Sequence, residues 1–252
     1  MMNIALVTGV TSGFGRAIAE CLIKNNYLVI GTGRRTAKLN ELKEIFNDKF
    51  IPLNFDIQNL AEIENALASL PQEYQQIDLL VNNAGLGLGL EPAHKAELAD
   101  WENMIDTNVK GLVYITRLVL PKMVERNSGH IINIGSIAGT YPYPGGNVYG
   151  ATKAFVKQFS LNLRADLANT NIRVSNVEPG LCGDTDFSLV RFKGDQEKVT
   201  SLYENVDYIK PEDIANIVLW LNQQPPHVNI NSVEVMPTAQ TFSALNVARK
   251  NK

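Results

Sequence analysis

Short apolar runs alternate along the chain with longer segments whose apolar residues recur at helical spacing. The runs predict seven strands, at NIALVTG, YLVIGTG, KFIPLNFD, IDLLVNNAG, GHIINIGS, IRVSNVEPG and NSVEVMP. The helical pattern covers 13–24, AKLNELKEIF, NLAEIENALASL, 98–126, 148–167 and PEDIANIVLWL. Strands that alternate with helices in this way indicate a parallel sheet with right-handed crossovers and helices on both faces.

This arrangement predicts an α/β fold, a Rossmann-type doubly wound sheet of about seven strands. In such a sheet, ligands bind beyond the carboxyl ends of the strands. The residues that end the predicted strands are Gly9, Gly33, Asp56, Asn82, Ser136 and Pro179. No linker rich in Gly, Pro or Ser divides the chain, so we expect residues 1–252 to form a single domain.

The composition narrows the class of protein. Hydrophobic residues make up 45% and charged residues 19% of the 252, a globular balance. The net charge of -3 includes no basic block, which argues against a nucleic-acid partner. Cys21 and Cys182 form no disulfide framework and fit a reducing compartment. Because neither a secretory signal nor a membrane-spanning run is visible, we expect a soluble, cytoplasmic protein without a membrane partner.

A glycine-rich turn follows the first predicted strand. TGVTSGFG has the spacing G-x-x-x-G-x-G, which a tight turn alone would also explain. Glycines let the backbone approach a phosphate, and a helix N-terminus offers free N–H groups. The position between a strand and a helix therefore favours a dinucleotide phosphate site. Its residues are Gly9, Val10, Thr11, Ser12, Gly13, Phe14 and Gly15.

The end of the second strand, IGTGRRTAK, lacks the acid with which an NAD site binds the ribose 2′-hydroxyl. Arg34 and Arg35 stand there instead, and guanidinium groups suit a 2′-phosphate. Two solvated arginines are the alternative. Cations at the start of a helix oppose its dipole, however, so a ligand phosphate explains them better. We therefore predict NADP(H) rather than NAD(H) as the cofactor.

The residues at two further strand ends each have two possible roles. Asp56, with Ile57 beside it, either accepts a hydrogen bond from the cofactor adenine or caps the helix that begins near Asn59. Asn83, Ala84 and Gly85 of the NNAG motif either line the cofactor ribose or only make a turn. Both segments are assigned to the cofactor site.

Four polar residues are candidates for catalysis. Ser136 ends the fifth strand, where its hydroxyl either projects into the crevice or caps a turn. Tyr149 is followed one helical turn later by Lys153, a spacing also found in ordinary surface neighbours. Asn108 lies inside a predicted helix, where an amide is mildly unfavourable and either faces water or has a function.

Taken together, these motifs resemble the short-chain dehydrogenase/reductase family. TGVTSGFG, NNAG, Asn108, Ser136, YGATK and EPG occur in the family's order and span nearly the whole chain. The resemblance implies that Ser136, Tyr149, Lys153 and Asn108 are catalytic. Tyr149 would move the proton, and Lys153 would lower its pKa and hold the nicotinamide ribose. Ser136 would bind the substrate oxygen, and Asn108 would support a water relay.

Longer stretches, from MIDTNVKG to FSLVRFKGD, resemble the bacterial NADP-dependent 3-hydroxy acid dehydrogenases. This implies oxidation of small 3-hydroxy acids such as L-allo-threonine, L-serine or 3-hydroxypropionate, and the reverse reduction of malonic semialdehyde. It also implies a homotetramer whose interfaces are formed by apolar residues of the seventh strand and by the helices of 98–126 and 148–167. A general carbonyl reductase and a non-catalytic NADP-binding sensor are the alternatives.

The segment after Pro179 and Gly180 falls where the family has its mobile substrate loop. Thr185 and Phe187 are expected to contact the nicotinamide, with Pro179 and Gly180 also touching the cofactor. Arg191 is expected to bind the substrate carboxylate. The alternative is that Arg191 is a solvated charge on a loop. The three histidines are scattered along the sequence, so we expect no metal site.

Overall fold

The computed structural model describes residues 2–242, so Met1 and 243–252 of the predicted domain lie outside the described residues. The strands are β1 (Asn3–Thr8), β2 (Tyr27–Gly33), β3 (Phe50–Asn54), β4 (Leu79–Asn82), β5 (Gly129–Ile134), β6 (Ile172–Pro179) and β7 (Ser232–Val235). They form one sheet in the order β3-β2-β1-β4-β5-β6-β7, with every neighbouring pair parallel. The order reverses between β1 and β4, so the predicted doubly wound sheet is confirmed.

Nine α-helices connect the strands in the described part of the chain. They are α1 (Gly13–Lys24), α2 (Thr36–Phe46), α3 (Leu60–Ala68), α4 (Leu98–Ile105), α5 (Leu112–Arg126), α6 (Asn147–Asp166), α7 (Phe187–Arg191), α8 (Gln196–Tyr203) and α9 (Pro211–Asn222). The predicted helix 98–126 contains a π-helical turn, Asp106–Gly111, between α4 and α5. Within residues 2–242, no helix combines the length and the apolar character needed to cross a bilayer.

The sheet has a hydrophobic cluster on each face, and β1 contributes to both. Ala5 and Val7 pack into the cluster that includes α1 and α9, whereas Ile4 and Leu6 pack into the cluster that includes α3 and α5. Successive side chains of a strand point to opposite faces, so a strand covered on both sides is apolar throughout. This is why continuous apolar runs predicted these strands.

A buried polar chain ties the centre of the sheet to two helices. Asn82 Nδ2 donates to Thr116 Oγ1 at 2.9 Å and to Asn133 Oδ1 at 2.8 Å. Asn133 Nδ2 in turn donates to Ser160 Oγ on α6 at 2.8 Å. Buried amides that find partners in this way fix neighbouring elements in one register. The strand-end position Asn82 is therefore structural, and its contacts help to hold α6 against β5.

Candidate active site

The turn between β1 and α1 has the shape of a phosphate cradle. Gly9 and Gly13 have φ angles of +74° and +52°, which residues with side chains rarely adopt. A Cβ at Gly15 would overlap the carbonyl oxygen of Gly9, so backbone packs directly on backbone. Helix α1 begins without a side-chain cap from Ser12 and without an acid in its first turn. Its first N–H groups thus keep their capacity to bind an anion, and a cofactor phosphate fits.

The apolar residues of this turn face the protein core. Val10 is fully buried in the hydrophobic cluster that includes α1 and α9, and Phe14 packs against the same cluster. The N–H groups of Gly9 and Val10 both donate to the carbonyl of Thr32 at 3.0 Å. The cofactor contacts of Val10 and Phe14 stay predictions, and with these side chains in or against the core such contacts would be made by the backbone.

Asn83 fixes the glycine-rich turn from the neighbouring strand. Its Nδ2 donates to the carbonyls of Thr8 and Gly9 at 2.8 and 3.3 Å. The hydroxyl of Thr8 accepts the N–H groups of Asn83 and Ala84 at 3.0 and 2.9 Å. The side-chain amide thus has the turn role that the sequence left open. A cofactor contact from Asn83 or Ala84 stays a prediction.

The two arginines after β2 have different surroundings. Arg35 lies across the glycine-rich turn, where Nε donates to Thr11 Oγ1 at 3.0 Å and Nη2 to Ser12 Oγ at 2.8 Å. Its Nη1 is 3.2 Å from Asp186 at the start of α7. Arg34 lies at the margin of the site, and its side chain is 65% exposed. Of the two, only Arg35 is held in place above the phosphate cradle.

Asp56 does not cap α3, so that alternative was wrong. Asn59 caps this helix, and its side chain accepts a backbone N–H of the first turn. Asp56 instead accepts the N–H of Gln58 at 3.0 Å and lies 3.6 Å from Arg34. Ile57 is partly buried against the core. The carboxylate remains partly exposed beside the cofactor end of the sheet, and the predicted adenine contact is untested.

Ser136, Tyr149 and Lys153 meet beyond the end of β5. Ser136 caps the 3₁₀ turn Ile137–Gly139 by accepting the N–H of Ala138 at 3.1 Å. The same hydroxyl lies close enough to Tyr149 to act against the rise in the pKa of that phenol that burial causes. Ser136 thus has both of the roles that the sequence proposed as alternatives.

Burial dominates the proton affinity of Tyr149. Desolvation raises the pKa of this phenol to about 12, although hydrogen bonding to Ser136 and the charge of Arg191 act in the opposite direction. The expected lowering of this pKa by Lys153 was wrong. Lys153 Nζ donates to the carbonyl of Ile134 at 2.9 Å and lies 5.9 Å from the centre of the Tyr149 ring. At neutral pH the phenol therefore keeps its proton and is ready to donate it.

Lys153 is buried next to this phenol. Burial lowers the pKa of its amine to about 8, so the amine is still mostly charged at pH 7. Within the described residues its only hydrogen bond goes to Ile134, which leaves two of its three donors unused. A Cβ at Gly85 would lie 3.4 Å from Nζ, so the missing side chain leaves space there.

Asn108 lies in the π-helical turn and is buried. Its Oδ1 accepts the N–H of Leu86 at 2.8 Å, and its Nδ2 donates to the carbonyl of Leu86 at 2.8 Å and to Thr152 Oγ1 at 3.1 Å. The amide therefore links the π-helical turn to the loop after β4 and to α6. Its partner on α6, Thr152, lies one helical turn from Tyr149. The π turn offsets the backbone at this position, as π turns often do near functional sites.

The segment after β6, which falls where the family has its mobile substrate loop, contains the short helices α7 and α8. A Cβ at Gly13 would lie 3.2 Å from the side chain of Thr185, so this residue packs on the phosphate cradle. The ring of Phe187 lies 5.7 Å from the ring of Tyr149, centre to centre. The segment from Thr185 through α7 therefore spans from the cofactor end of the site to its catalytic end.

Pro179 and Gly180 belong to the sheet ladder at the point where this segment begins. Pro179 pairs with Val235 of β7, and the N–H of Gly180 donates to the carbonyl of Val235 at 2.7 Å. The next N–H, of Leu181, donates to Gln240 Oε1 at 2.7 Å. The strand end is thus rigid, while the proposed cofactor contacts of Pro179 and Gly180 stay predictions.

Arg191, at the end of α7, lies at the catalytic end of the site. Its guanidinium carbon is 5.2, 5.4 and 5.9 Å from the ring centres of Tyr149, Tyr143 and Phe187. Nη2 donates to the Tyr143 hydroxyl at 2.6 Å, and Nε to the carbonyl of Gly89 at 3.4 Å. No carboxylate among residues 2–242 forms an ion pair with it. It is a half-buried cation without an acidic partner, not a solvated loop charge.

His130 is a structural residue of the core. His130 is buried between Asn222 Oδ1 and Ser175 Oγ, at 3.0 and 2.9 Å, and burial lowers its pKa to about 3. It is a neutral core residue. In the part of the chain that the structure describes, no three His, Cys, Asp or Glu side chains are grouped as for a metal ion.

This fold and this site define a dinucleotide-binding oxidoreductase, and the comparisons with known proteins agree. Residues 3–195 match the family model described as short chain dehydrogenase. The chain is 66% identical to a probable NADP-dependent dehydrogenase of Haemophilus influenzae, over 98% of both chains. It is 59% identical to the NADP-dependent 3-hydroxy acid dehydrogenase YdfG of Escherichia coli, over 98% of this chain and 100% of that one.

A solved structure is similarly close. The closed form of a serine dehydrogenase complexed with NADP+ matches with a TM-score of 0.97 and 59% identity, over 98% of this chain and 100% of the other. The chain belongs to the short-chain dehydrogenase/reductase family, which confirms the resemblance seen in the motifs.

Proposed function

We propose that this chain oxidises the 3-hydroxyl group of small 3-hydroxy acids with NADP+ and reduces the corresponding 3-oxo acids with NADPH. The proposed substrates for oxidation are L-allo-threonine, L-serine and 3-hydroxypropionate. The proposed substrate for reduction is malonic semialdehyde. The relatives described above bear out the expected enzyme class and cofactor. The observation that carries the choice of substrate is Arg191, a cation beside Tyr149 that has no acidic partner among residues 2–242.

The residues of the cofactor end fit NADP(H). Bound NADP(H) supplies the hydride acceptor or donor of the reaction. The N–H groups at the start of α1 would bind its diphosphate, and Arg35, already held over Thr11 and Ser12, would bind its 2′-phosphate. Lys153 has two unused donors for a ribose hydroxyl.

The proton step is assigned to Tyr149. In the reductive direction, C3 of the 3-oxo acid receives hydride, and the former carbonyl oxygen takes the proton of Tyr149. Ser136 donates a hydrogen bond to that oxygen and stabilises its developing charge. In the oxidative direction the phenolate takes the 3-hydroxyl proton, and the charge of Arg191 stabilises the phenolate. Asn108 positions the π turn next to these groups.

The substrate carboxylate is assigned to Arg191. A half-buried guanidinium that lacks a carboxylate partner is costly, because its desolvation is not compensated by an opposite charge. A ligand carboxylate would supply this compensation through charge-assisted hydrogen bonds. Thr185, just before α7, and Phe187, its first residue, would close the site over the cofactor, since they already lie against Gly13 and Tyr149.

Assembly and location are part of the same proposal. A homotetramer is supported by apolar side chains exposed on the predicted interface helices, namely Leu98 on α4 and Phe155 and Leu161 on α6. Cys21 and Cys182 are free thiols, which fits the reducing cytoplasm. The one sheet that runs through the described residues supports a single catalytic domain over 1–252.

A substrate panel with a matched pair of variants tests the proposal. We expect the wild-type enzyme to oxidise 3-hydroxypropionate and L-allo-threonine with NADP+ more efficiently than it reduces uncharged ketones with NADPH. Arg191→Met should raise KM for 3-hydroxypropionate by at least about tenfold, as expected for a lost charged hydrogen bond. Lys193→Met is the control, because Lys193 lies on the same segment but pairs with Asp100 at 2.8 Å.

Other results would contradict the proposal in identifiable ways. A preference for uncharged ketones would indicate a general carbonyl reductase. Binding of NADP+ without turnover of any hydroxy acid or ketone would indicate a cofactor sensor. An unchanged KM in Arg191→Met would remove the carboxylate clamp while leaving the reaction itself in place.

A further inference from the structure

Tyr143 lies in a rigid segment that faces the end of α7. It stands between Pro142 and Pro144 in the run TYPYPGG. Proline fixes its own φ and restricts the preceding residue to extended conformations, so the backbone at Tyr143 has little freedom. A Cβ at Gly146 would lie 2.9 Å from the Tyr143 ring, and the Gly146 N–H donates to the Tyr143 carbonyl at 3.0 Å. The phenol is thus fixed in place by its own segment.

The hydrogen bond between Tyr143 and Arg191 has only one possible direction. Arg191 Nη2 lies 2.6 Å from the Tyr143 hydroxyl oxygen. A guanidinium has donors and no acceptor, so the phenol oxygen accepts here. The hydroxyl hydrogen of Tyr143 is therefore not used in this bond. Among residues 2–242, no acceptor for that hydrogen is found.

We propose that Tyr143 is a positioning and specificity residue that completes the substrate carboxylate site together with Arg191. The inference rests on the function proposed above. Tyr143 holds the guanidinium next to Tyr149, and its own O–H is a second donor for the same anion. A carboxylate has two oxygens and about four acceptor positions, so it accepts from both groups at once. An uncharged ketone has no group for this pair, which makes the pair selective for acids.

The neighbouring Tyr141 offers a matched control. It lies two residues away in the same segment, but its hydroxyl donates to Glu234 at 3.1 Å, away from Arg191. Tyr141→Phe and Tyr143→Phe remove the same atom from the same loop. A nonspecific effect on the segment would appear in both variants, whereas the loss of a substrate donor would appear only in Tyr143→Phe.

The test is steady-state kinetics with 3-hydroxypropionate and NADP+, and with NADPH and hydroxyacetone as an uncharged ketone. Tyr143→Phe should raise KM for 3-hydroxypropionate by about tenfold to a hundredfold, the range for a hydrogen bond to a charged group. The value of kcat should stay within about threefold, because the lost contact is made equally in the ground state and the transition state. KM for NADP+ and the kinetics with hydroxyacetone should not change, and Tyr141→Phe should resemble the wild type.

A double-mutant cycle with Arg191→Met separates the possible outcomes. If Tyr143 acts with Arg191, the double variant should lose less than the product of the two single losses. An unchanged KM in Tyr143→Phe, or losses that simply multiply, would overturn the inference. A large effect of Arg191→Met alone would then leave the proposed function standing. A wild-type enzyme that fails to oxidise 3-hydroxypropionate would instead overturn the function.

Discussion

Arg35→Ala should change the choice between the two nicotinamide dinucleotides. Arg35 is held over the phosphate cradle by Thr11 and Ser12, so its guanidinium is in place before a 2′-phosphate arrives. A hydrogen bond to a charged group contributes about 1.5–3 kcal/mol. Because the side chain is 50% exposed, screening favours the lower part of this range. We therefore expect the Kd for NADP+ to rise about tenfold to thirtyfold and the Kd for NAD+ to stay within about twofold.

The assay is isothermal titration of both nucleotides at one fixed salt concentration. Arg34→Ala is the matched control, since Arg34 is 65% exposed and lies 3.6 Å from Asp56, at the margin of the site. It should weaken NADP+ binding by no more than about threefold. Equal losses for NADP+ and NAD+ in Arg35→Ala would refute this reasoning, because the 2′-phosphate is the group that distinguishes the two ligands.

Two further predictions concern stability. The pKa of His130 is about 3 in the folded chain against 6.5 for a free histidine, so the unfolded chain binds the proton more readily and stability falls as pH decreases from about 6.5 to about 3. Between pH 7 and pH 5 this histidine removes about 2 kcal/mol. In urea unfolding, the free energy of unfolding should fall between pH 7 and pH 5 by about 2 kcal/mol less in His130→Asn than in the wild type. An equal decrease in both proteins would contradict the neutral, buried state of His130. Gly15→Ala should lower Tm and weaken NADP+ binding, because its Cβ overlaps the Gly9 carbonyl. Normal values for both would contradict the backbone packing of the turn.

The alternation of apolar runs was sufficient to predict the sheet. All seven strands were found, and the bounds of α1 and β2 match, because strands covered on both faces are apolar throughout and helices repeat at 3.6 residues. Helices α7 and α8 were missed because they have only five and eight residues, too few for the helical period of apolar positions to be recognised. The π turn was missed because one extra residue in a turn leaves the apolar period almost unchanged.

The candidate site was predictable as a set of residues but not as an electrostatic environment. The motifs placed Ser136, Tyr149 and Lys153 correctly, since strand ends and helical spacing bring them together. The predicted shift of the Tyr149 pKa had the wrong direction, because desolvation of the phenol depends on residues that are far apart in the sequence. Arg191 and Tyr143 are 48 residues apart, so no local pattern could pair them.

The central claim is that the hydroxyl of Tyr149 transfers the proton, and Tyr149→Phe tests it most directly. The variant keeps the ring that packs on Phe187 and removes only the acidic oxygen. We predict that kcat for reduction of malonic semialdehyde falls by about a hundredfold to ten-thousandfold, while the Kd for NADPH is unchanged. A kcat within about tenfold of the wild type, at the same NADPH affinity, would contradict the account.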